Sequence, residues 1–328
     1  VGEATVMARW SGETAWGASA VIDHVFTPLL IGCDPSDIPA IDQVMDRAAA
    51  CNWFAKSAIE MACWDIRGKS EGKPVYELLG GAVRPLAITC RFSMGAYPID
   101  QARKRAGELV EEGFETIKVK VGTDIDEDVA RVTAVRETMG GERDLVIDAN
   151  AGWDAATAIE AMRRMKDLDV GLFEQPTTKG DFHALAEVRR EISCPVMADD
   201  IVFDLPDVIA CIRHEACDVI SLYPGKNGGI RKAWEMAELA GQHGVACSIG
   251  SNLEFDIAAA AMCHLVVACP NMQVETYPGD ILGPDYHEAR VATNPISVNG
   301  PVIETPTGPG LGVEVDWNEV ARLAPASD

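Results

Sequence analysis

"TIKVKVG", Thr116–Gly122, sets two lysines inside a short run that is otherwise β-branched, apolar and ended by glycine. Side chains alternate faces along a strand, so Lys118 and Lys120 point one way and Ile117, Val119 and Val121 the other. Taken alone, the run also fits an edge strand whose lysines discourage edge-to-edge pairing. The surrounding sequence decides between an edge and an interior.

Similar apolar runs recur on both sides: "AITCRFSMG" (87–95), "DLVIDANAG" (144–152), "VGLFEQP" (170–176), "CPVMADD" (194–200), "DVISLYPG" (218–225), "VACSIGSN" (245–252) and "MQVETYP" (272–278). Segments of helical period lie between them, among them "DVARVTAVRETMG" and "IRKAWEMAELAGQHG". Eight strands alternating with helices predict a parallel (β/α) barrel, with TIKVKVG as its second strand. A closed barrel has no edge to protect, so the two lysines need another explanation.

The charges that follow come at even intervals. Lys120 to Asp148 is 28 residues, Asp148 to Glu174 is 26, Glu174 to Asp199 is 25 and Asp199 to Lys226 is 27. Each stands at or just past the C-terminal end of its apolar run. In a barrel those ends meet on one face, where active sites of this fold lie. Any one of the three acids alone reads as a helix N-cap or loop carboxylate; three in register read as a cluster.

Three neighbouring buried carboxylates stay ionised only with a cation beside them. Hard oxygen donors with no His or Cys among them favour Mg²⁺, and the same set suits Mn²⁺. Lys118 and Lys120 precede the acids in the chain and Lys226 follows them, on the opposite side of an eight-stranded barrel. A carboxylate substrate held between them meets an amine on each face, which suits removal of a proton α to the carboxylate, with the metal stabilising the resulting enediolate. Like-charge repulsion from Lys118 is expected to favour a neutral Lys120 base.

The whole chain resembles the enolase superfamily, and within it the muconate-lactonizing subgroup of the mandelate racemase/muconate lactonizing enzyme family. "AIEMACWDIRGKSEGKPVYELLGG" (58–81) is similar to the family's capping-domain helix, and "PTGPGLGVEVD" (306–316) to its C-terminal end. The resemblance implies a (β/α)7β modified barrel with an α+β capping domain built from the N-terminal region and the C-terminal tail. It carries the Lys-x-Lys motif onto Lys118 and Lys120, with Lys120 as the base. It carries the metal ligands onto Asp148, Glu174 and Asp199, and the opposing lysine onto Lys226 of "GKNGG". It also gives Asn150 a metal-adjacent place, Asp200 a role supporting the lysines and Glu254 a role at the substrate's carboxylate end. Dimers or octamers are common among such proteins, so a homo-oligomer is expected.

Departures from the pattern narrow the activity. Asp200 stands where the family commonly has Glu. The seventh strand reads "CSIGSN" with no His, which weighs against mandelate racemase activity. The last strand reads "VETYPGD" (274–280) without the Asp-x-Asp of dipeptide epimerases, leaving Asp280 as a partial substitute. The expected reactions are therefore racemisation, epimerisation or muconate-type cycloisomerisation of a small carboxylate. Dehydration of a β-hydroxy acid such as a hydroxyproline or sugar acid is the alternative on the same residues. Two readings of another class are a Schiff-base lysine aldolase and a barrel without catalysis.

The remaining composition is consistent with this. The 328-residue chain has 51 acidic and 28 basic residues, a net charge of −23 and no basic stripe, so nucleic acid and anionic membranes are poor partners. No run approaches the roughly 20 apolar residues of a membrane span. Ten cysteines without a C-x-x-C pair read as free thiols in the cytoplasm. Tyr223, Tyr277 and Trp153 read as packing residues at loop bases, and His183 is the histidine best able to approach the rim. The expected division is 1–86 as the capping domain, truncated at its start, 87–288 as the barrel, and 289–328 as a segment returning to the cap. Within the cap, residues 4–23 alternate about Ser11-Gly12 as a β-hairpin would, and a helical period runs from about Ala40 to Arg67.

Overall fold

The computed structural model describes residues 1–324; the last four residues of the predicted 289–328 segment lie outside them. Seven parallel strands pair in chain order: β2 (Phe92–Met94), β3 (Thr116–Lys120), β4 (Asp144–Asp148), β5 (Val170–Glu174), β6 (Val196–Ala198), β7 (Val219–Leu222) and β8 (Ala246–Ile249). Before them β1 (Ala87–Thr89) leaves the barrel and pairs with β10 (Val302–Glu304), which pairs with β9 (Val298–Asn299). "AITCRFSMG" is thus two strands serving two sheets. "MQVETYP" keeps its place but not its ladder: Cys247 and Met272 form a single bridge, and the Arg91 amide donates to the Gly279 carbonyl at 2.8 Å. The stretch from Met272 to Gly279 therefore bonds both edges of the seven-stranded sheet and closes the ring without forming an eighth strand.

TIKVKVG lies inside the sheet, with β2 on one side and β4 on the other. Its Ile117 and Val119 are fully buried against the surrounding helices. Gly122 ends it for a steric reason: φ is +92°, and a Cβ there would meet the Ala149 carbonyl oxygen at 2.2 Å. Only glycine lets the ends of β3 and β4 approach this closely.

Seven helices follow the strands: Ile99–Glu111, Ile125–Met139, Ala155–Arg164, Phe182–Glu191, Leu205–His214, Ile230–Gln242 and Asp256–Ala268. Four are N-capped by aspartates whose side chains accept first-turn amides: Asp124, Asp154, Asp181 and Asp204. Capping is thus carried by acids other than Asp148, Glu174 and Asp199.

The predicted hairpin over 4–23 is not formed. Helices run over Ala8–Ser11 and Ala15–Val21, the second capped by Thr14, whose hydroxyl accepts the Gly17 amide at 3.0 Å. The alternation fails because Trp10 turns inward onto Phe54, Phe203 and Tyr223, while Ala18, Val21, Ile22 and Phe26 supply a helical apolar face. The helical pattern from Ala40 to Arg67 is likewise two helices, Ile38–Ala48 and Trp53–Glu71, broken where Cys51 and Asn52 both adopt φ of 54°. The C-terminal segment packs back on the second of these: the Leu311 amide donates to Asp65 Oδ1 at 3.0 Å, and Gly310 exchanges backbone bonds with Lys73 and Val75.

Candidate active site

Strand ends β3 to β6 bring their charged residues together as the spacing predicts. Lys118 Nζ donates to Asp148 Oδ2 and to Glu174 Oε1, both at 2.9 Å. Lys120 Nζ donates to the same Asp148 oxygen at 2.5 Å and also to Asn150 Oδ1. Asn150 Nδ2 then reaches Asp200 Oδ2 at 3.2 Å, and its backbone amide donates to Asp148 Oδ1 at 2.8 Å. Asn150 adopts φ of 43°, a left-handed conformation that asparagine tolerates better than most residues.

Across the barrel, Lys226 sits on the short helix Pro224–Asn227 after β7 and is fully buried. Its three N–H groups are taken by Asp199 Oδ1 at 2.6 Å, the Asp199 carbonyl at 2.9 Å and the Ser221 carbonyl at 2.8 Å. The Tyr223 ring lies 4.8 Å from the ammonium. Opposed charges this well hydrogen-bonded tolerate burial, whereas an unpaired ion would cost several kcal/mol.

Electrostatics follow from this pairing. Burial pushes the Asp148 carboxyl up, but Lys118 and Lys120 outweigh it and hold it well below the usual range. Asp199 is likewise held low against burial by Lys226. Glu174 is raised, chiefly by burial. Asp200 is pushed up to about 6 by burial and by the charges of Asp199 and Asp148. Burial and the Arg91 guanidinium lower Lys118, yet Asp148 and Glu174 prevail and its pKa stands above the ordinary value. Of the two lysines of β3, Lys118 is enclosed, 7% exposed at the side chain, and Lys120 is the more open at 29%.

Glu254 stands apart from this network. It is buried in its own turn, accepting from Ser251 Oγ at 2.8 Å and the Asn252 amide at 2.9 Å, and burial raises it to about 7. Asp280 is also spent locally, its Oδ1 accepting the Leu282 amide at 2.9 Å. Tyr277 lines a small cavity at the other end of the barrel with Thr116 and Asp144, and Trp153 packs edge-on against Phe173. His183 is exposed.

Three residues were not singled out in the sequence. Arg91 is fully buried and donates through Nη2 to Glu174 Oε2 at 2.6 Å. Its signal was present, a charge inside "TCRFSMG" two residues from Ser93, which is registered opposite Lys118. Trp10 and Lys179 gave no comparable signal. Lys179 donates to the Trp10 carbonyl and stands 5.5 Å from its ring, while Trp10 Nε1 donates to Asn252 at 3.2 Å. These contacts hold the N-terminal segment across loops that follow β5 and β8.

The acids also fit a metal by their chemistry. Among the described residues no three His, Cys, Asp or Glu side chains converge as ligands, because ammonium groups stand between the acids. The donors are nonetheless three buried carboxylates on consecutive strands with no nitrogen or sulfur ligand, the set a hard divalent cation prefers. A positive charge, that of Lys118, already occupies the space between Asp148 and Glu174.

A parallel barrel with acids and lysines gathered at the strand C-termini has the architecture of a barrel enzyme. Residues 1–80 match the mandelate racemase/muconate lactonizing enzyme N-terminal domain, and residues 101–320 match the enolase C-terminal domain-like family. Muconate cycloisomerase 1 of Rhodococcus opacus is 34% identical over 313 residues, which is 95% of this chain and 83% of that protein. The crystal structure of N-succinyl Arg/Lys racemase from Bacillus cereus superposes with a TM-score of 0.95 at 29% identity, covering 100% of this chain and 87% of that one. A dipeptide epimerase from Enterococcus faecalis, complexed with Mg and L-Leu-L-Tyr, gives 0.89 at 31% identity over 95% and 87% of the two chains. The chain belongs to the mandelate racemase/muconate lactonizing enzyme family of the enolase superfamily, and its relatives are isomerases.

Proposed function

We propose that this enzyme removes the α-proton of a small carboxylate substrate, with Asp148, Glu174 and Asp199 holding Mg²⁺ and Lys120 and Lys226 working on opposite faces. The observation that supports it is the ring in which Lys118 and Lys120 on β3 and Lys226 after β7 all pair with the acids of β4 to β6. When bound, Mg²⁺ would offset the negative charge that grows on the substrate carboxylate as the proton leaves.

On one face Lys120 Nζ, released from Asp148, takes the α-proton. On the other Lys226, held by three acceptors, delivers a proton, giving racemisation or epimerisation. Where the substrate is a muconate-type diacid, one lysine moves the proton and the other contributes charge, giving cycloisomerisation. Lys118 stays charged and anchors Asp148 and Glu174. Dehydration of a β-hydroxy acid such as a hydroxyproline or sugar acid uses the same pair, with one lysine assisting the departing hydroxide. Trp10, partly exposed and packed on the buried Phe54 and Tyr223 on the Lys226 side with ring centroids 5.8 and 6.3 Å away, favours a substrate with an apolar group there.

Deuterium exchange at the α-carbon tests this directly. Mg²⁺-loaded protein in D₂O, offered amino acids, N-acylated amino acids, hydroxyprolines, muconates and sugar acids, is expected to exchange at least one class and to stop on chelation. No exchange across the panel refutes the reading. Borohydride trapping of a substrate imine would instead favour the Schiff-base alternative.

We also assign the enzyme to the cytoplasm as a homo-oligomer. Its cysteines are free and mostly buried, no described helix is long and apolar enough to cross a membrane, and Trp16, Leu29 and Ile31 of the N-terminal segment are exposed apolar side chains. Light scattering on the purified protein checks the oligomer.

A further inference from the structure

Among the described residues, Arg91 is the largest fully buried side chain. It lies between β1 and β2, anchored by its own amide to the Gly279 carbonyl at 2.8 Å, where the chain passes from the cap sheet into the barrel. Alternation along the strand puts it on the face of Ser93, which is registered opposite Lys118. Its guanidinium therefore lies inside the barrel, one layer beneath the ring of acids and lysines.

One contact explains its presence there. Nη2 donates to Glu174 Oε2 at 2.6 Å, while Glu174 Oε1 receives Lys118 at 2.9 Å. No described group accepts from Nε or Nη1. A buried guanidinium that meets the protein through only one of its nitrogens gains little stability from its pairing, and an apolar side chain of similar volume would pack at lower cost. Packing alone does not account for an arginine at this position.

We infer that Arg91 is a positioning residue: it clamps Glu174 through Oε2 from below, while Lys118 takes Oε1, and so fixes the carboxylate that would help hold a divalent cation. The inference rests on the metal reading given above. It adds a residue outside the acids and lysines, one that takes the Glu174 oxygen Lys118 does not.

Mg²⁺ titration of the metal-free protein by calorimetry tests the clamp without needing a substrate. Arg91→Met is expected to raise the Mg²⁺ Kd by about 10- to 100-fold, the range typical for losing a partner of a metal ligand, and Arg91→Lys by less, about fivefold. A thermal melt of each variant confirms that the protein being titrated is folded. A purely structural role would lower the melting temperature and leave the Kd of the folded protein unmoved. If Arg91→Met binds Mg²⁺ within twofold of the parent, or Arg91→Lys loses as much as Arg91→Met, the clamp is refuted while the metal reading stands. If Arg91→Met does not fold, Arg91→Lys decides alone, and a Kd within twofold of the parent refutes the clamp. A parent protein that itself binds no Mg²⁺ overturns the metal reading, and the clamp falls with it.

Discussion

Lys226 binds Asp199 twice, through the carboxylate at 2.6 Å and through the main-chain carbonyl at 2.9 Å. The double hold fixes the ammonium on the side of the barrel away from Lys120, so the two lysines are expected to act separately. Lys226→Met should abolish stereoinversion, with a loss of about 10²- to 10⁴-fold, while one stereoisomer of the substrate still exchanges its α-proton with D₂O through Lys120. Lys120→Met should show the complementary pattern. Chiral separation combined with NMR measures both, and equal loss for both stereoisomers in each variant would contradict two-faced action.

Metal removal should also be visible in stability. The acids of the ring are held ionised by lysines, and a divalent cation that binds only the folded chain adds to that hold. At a Mg²⁺ concentration a hundredfold above Kd the gain is about 2.7 kcal/mol, lost again on chelation. Denaturant titration with and without Mg²⁺ reads it directly, and superimposable curves would count against Asp148, Glu174 and Asp199 as ligands.

His264 sets an acid limit on stability. It is buried, with Tyr76 donating its amide to Nδ1 at 3.3 Å and Nε2 facing the Leu311 carbonyl at 3.2 Å, so it packs as the neutral ring. Burial lowers its pKa from 6.5 to about 4. Between those values the unfolded chain binds a proton that the folded chain refuses, so stability is fully present above pH 6.5 and falls toward pH 4, by about 3 kcal/mol in all. His264→Gln should be less stable than the parent at pH 7 yet lose less between pH 6.5 and 4, as chemical denaturation at each pH would show.

Trp10 should govern substrate choice more than turnover. Its ring touches Phe54, Phe203 and Tyr223 but no group of the charged ring. Trp10→Ala is expected to raise KM for apolar substrates about tenfold, with kcat changed far less, and to cost about 2 kcal/mol of stability. Steady-state kinetics on a substrate found by the exchange panel checks this, and an unchanged KM would remove Trp10 from the pocket wall.

Local rules made much of this molecule legible. Strand period alone put Lys118 and Lys120 on one face, and the spacing from Lys120 to Lys226 placed five charges at strand ends before any contact was known. Arg91 carries the same kind of signal in "TCRFSMG", but only one charge stands there and no partner is near it in sequence. The hairpin over 4–23 failed for the opposite reason: its alternation was local, while the packing of Trp10 against Phe54, Phe203 and Tyr223 is not.

By itself the sequence determined the parallel barrel, the face on which the acids and lysines gather and the order in which they arrive, because these follow from periods of two and 3.6 and from regular spacing. Tertiary structure alone decided which oxygen meets which nitrogen: Arg91 taking Glu174 from beneath, Lys226 enclosed by Asp199 and Ser221, Glu254 turned into its own loop and the N-terminal segment drawn over the mouth. Those pairings join residues 3 to 242 positions apart and depend on burial, which no local period encodes.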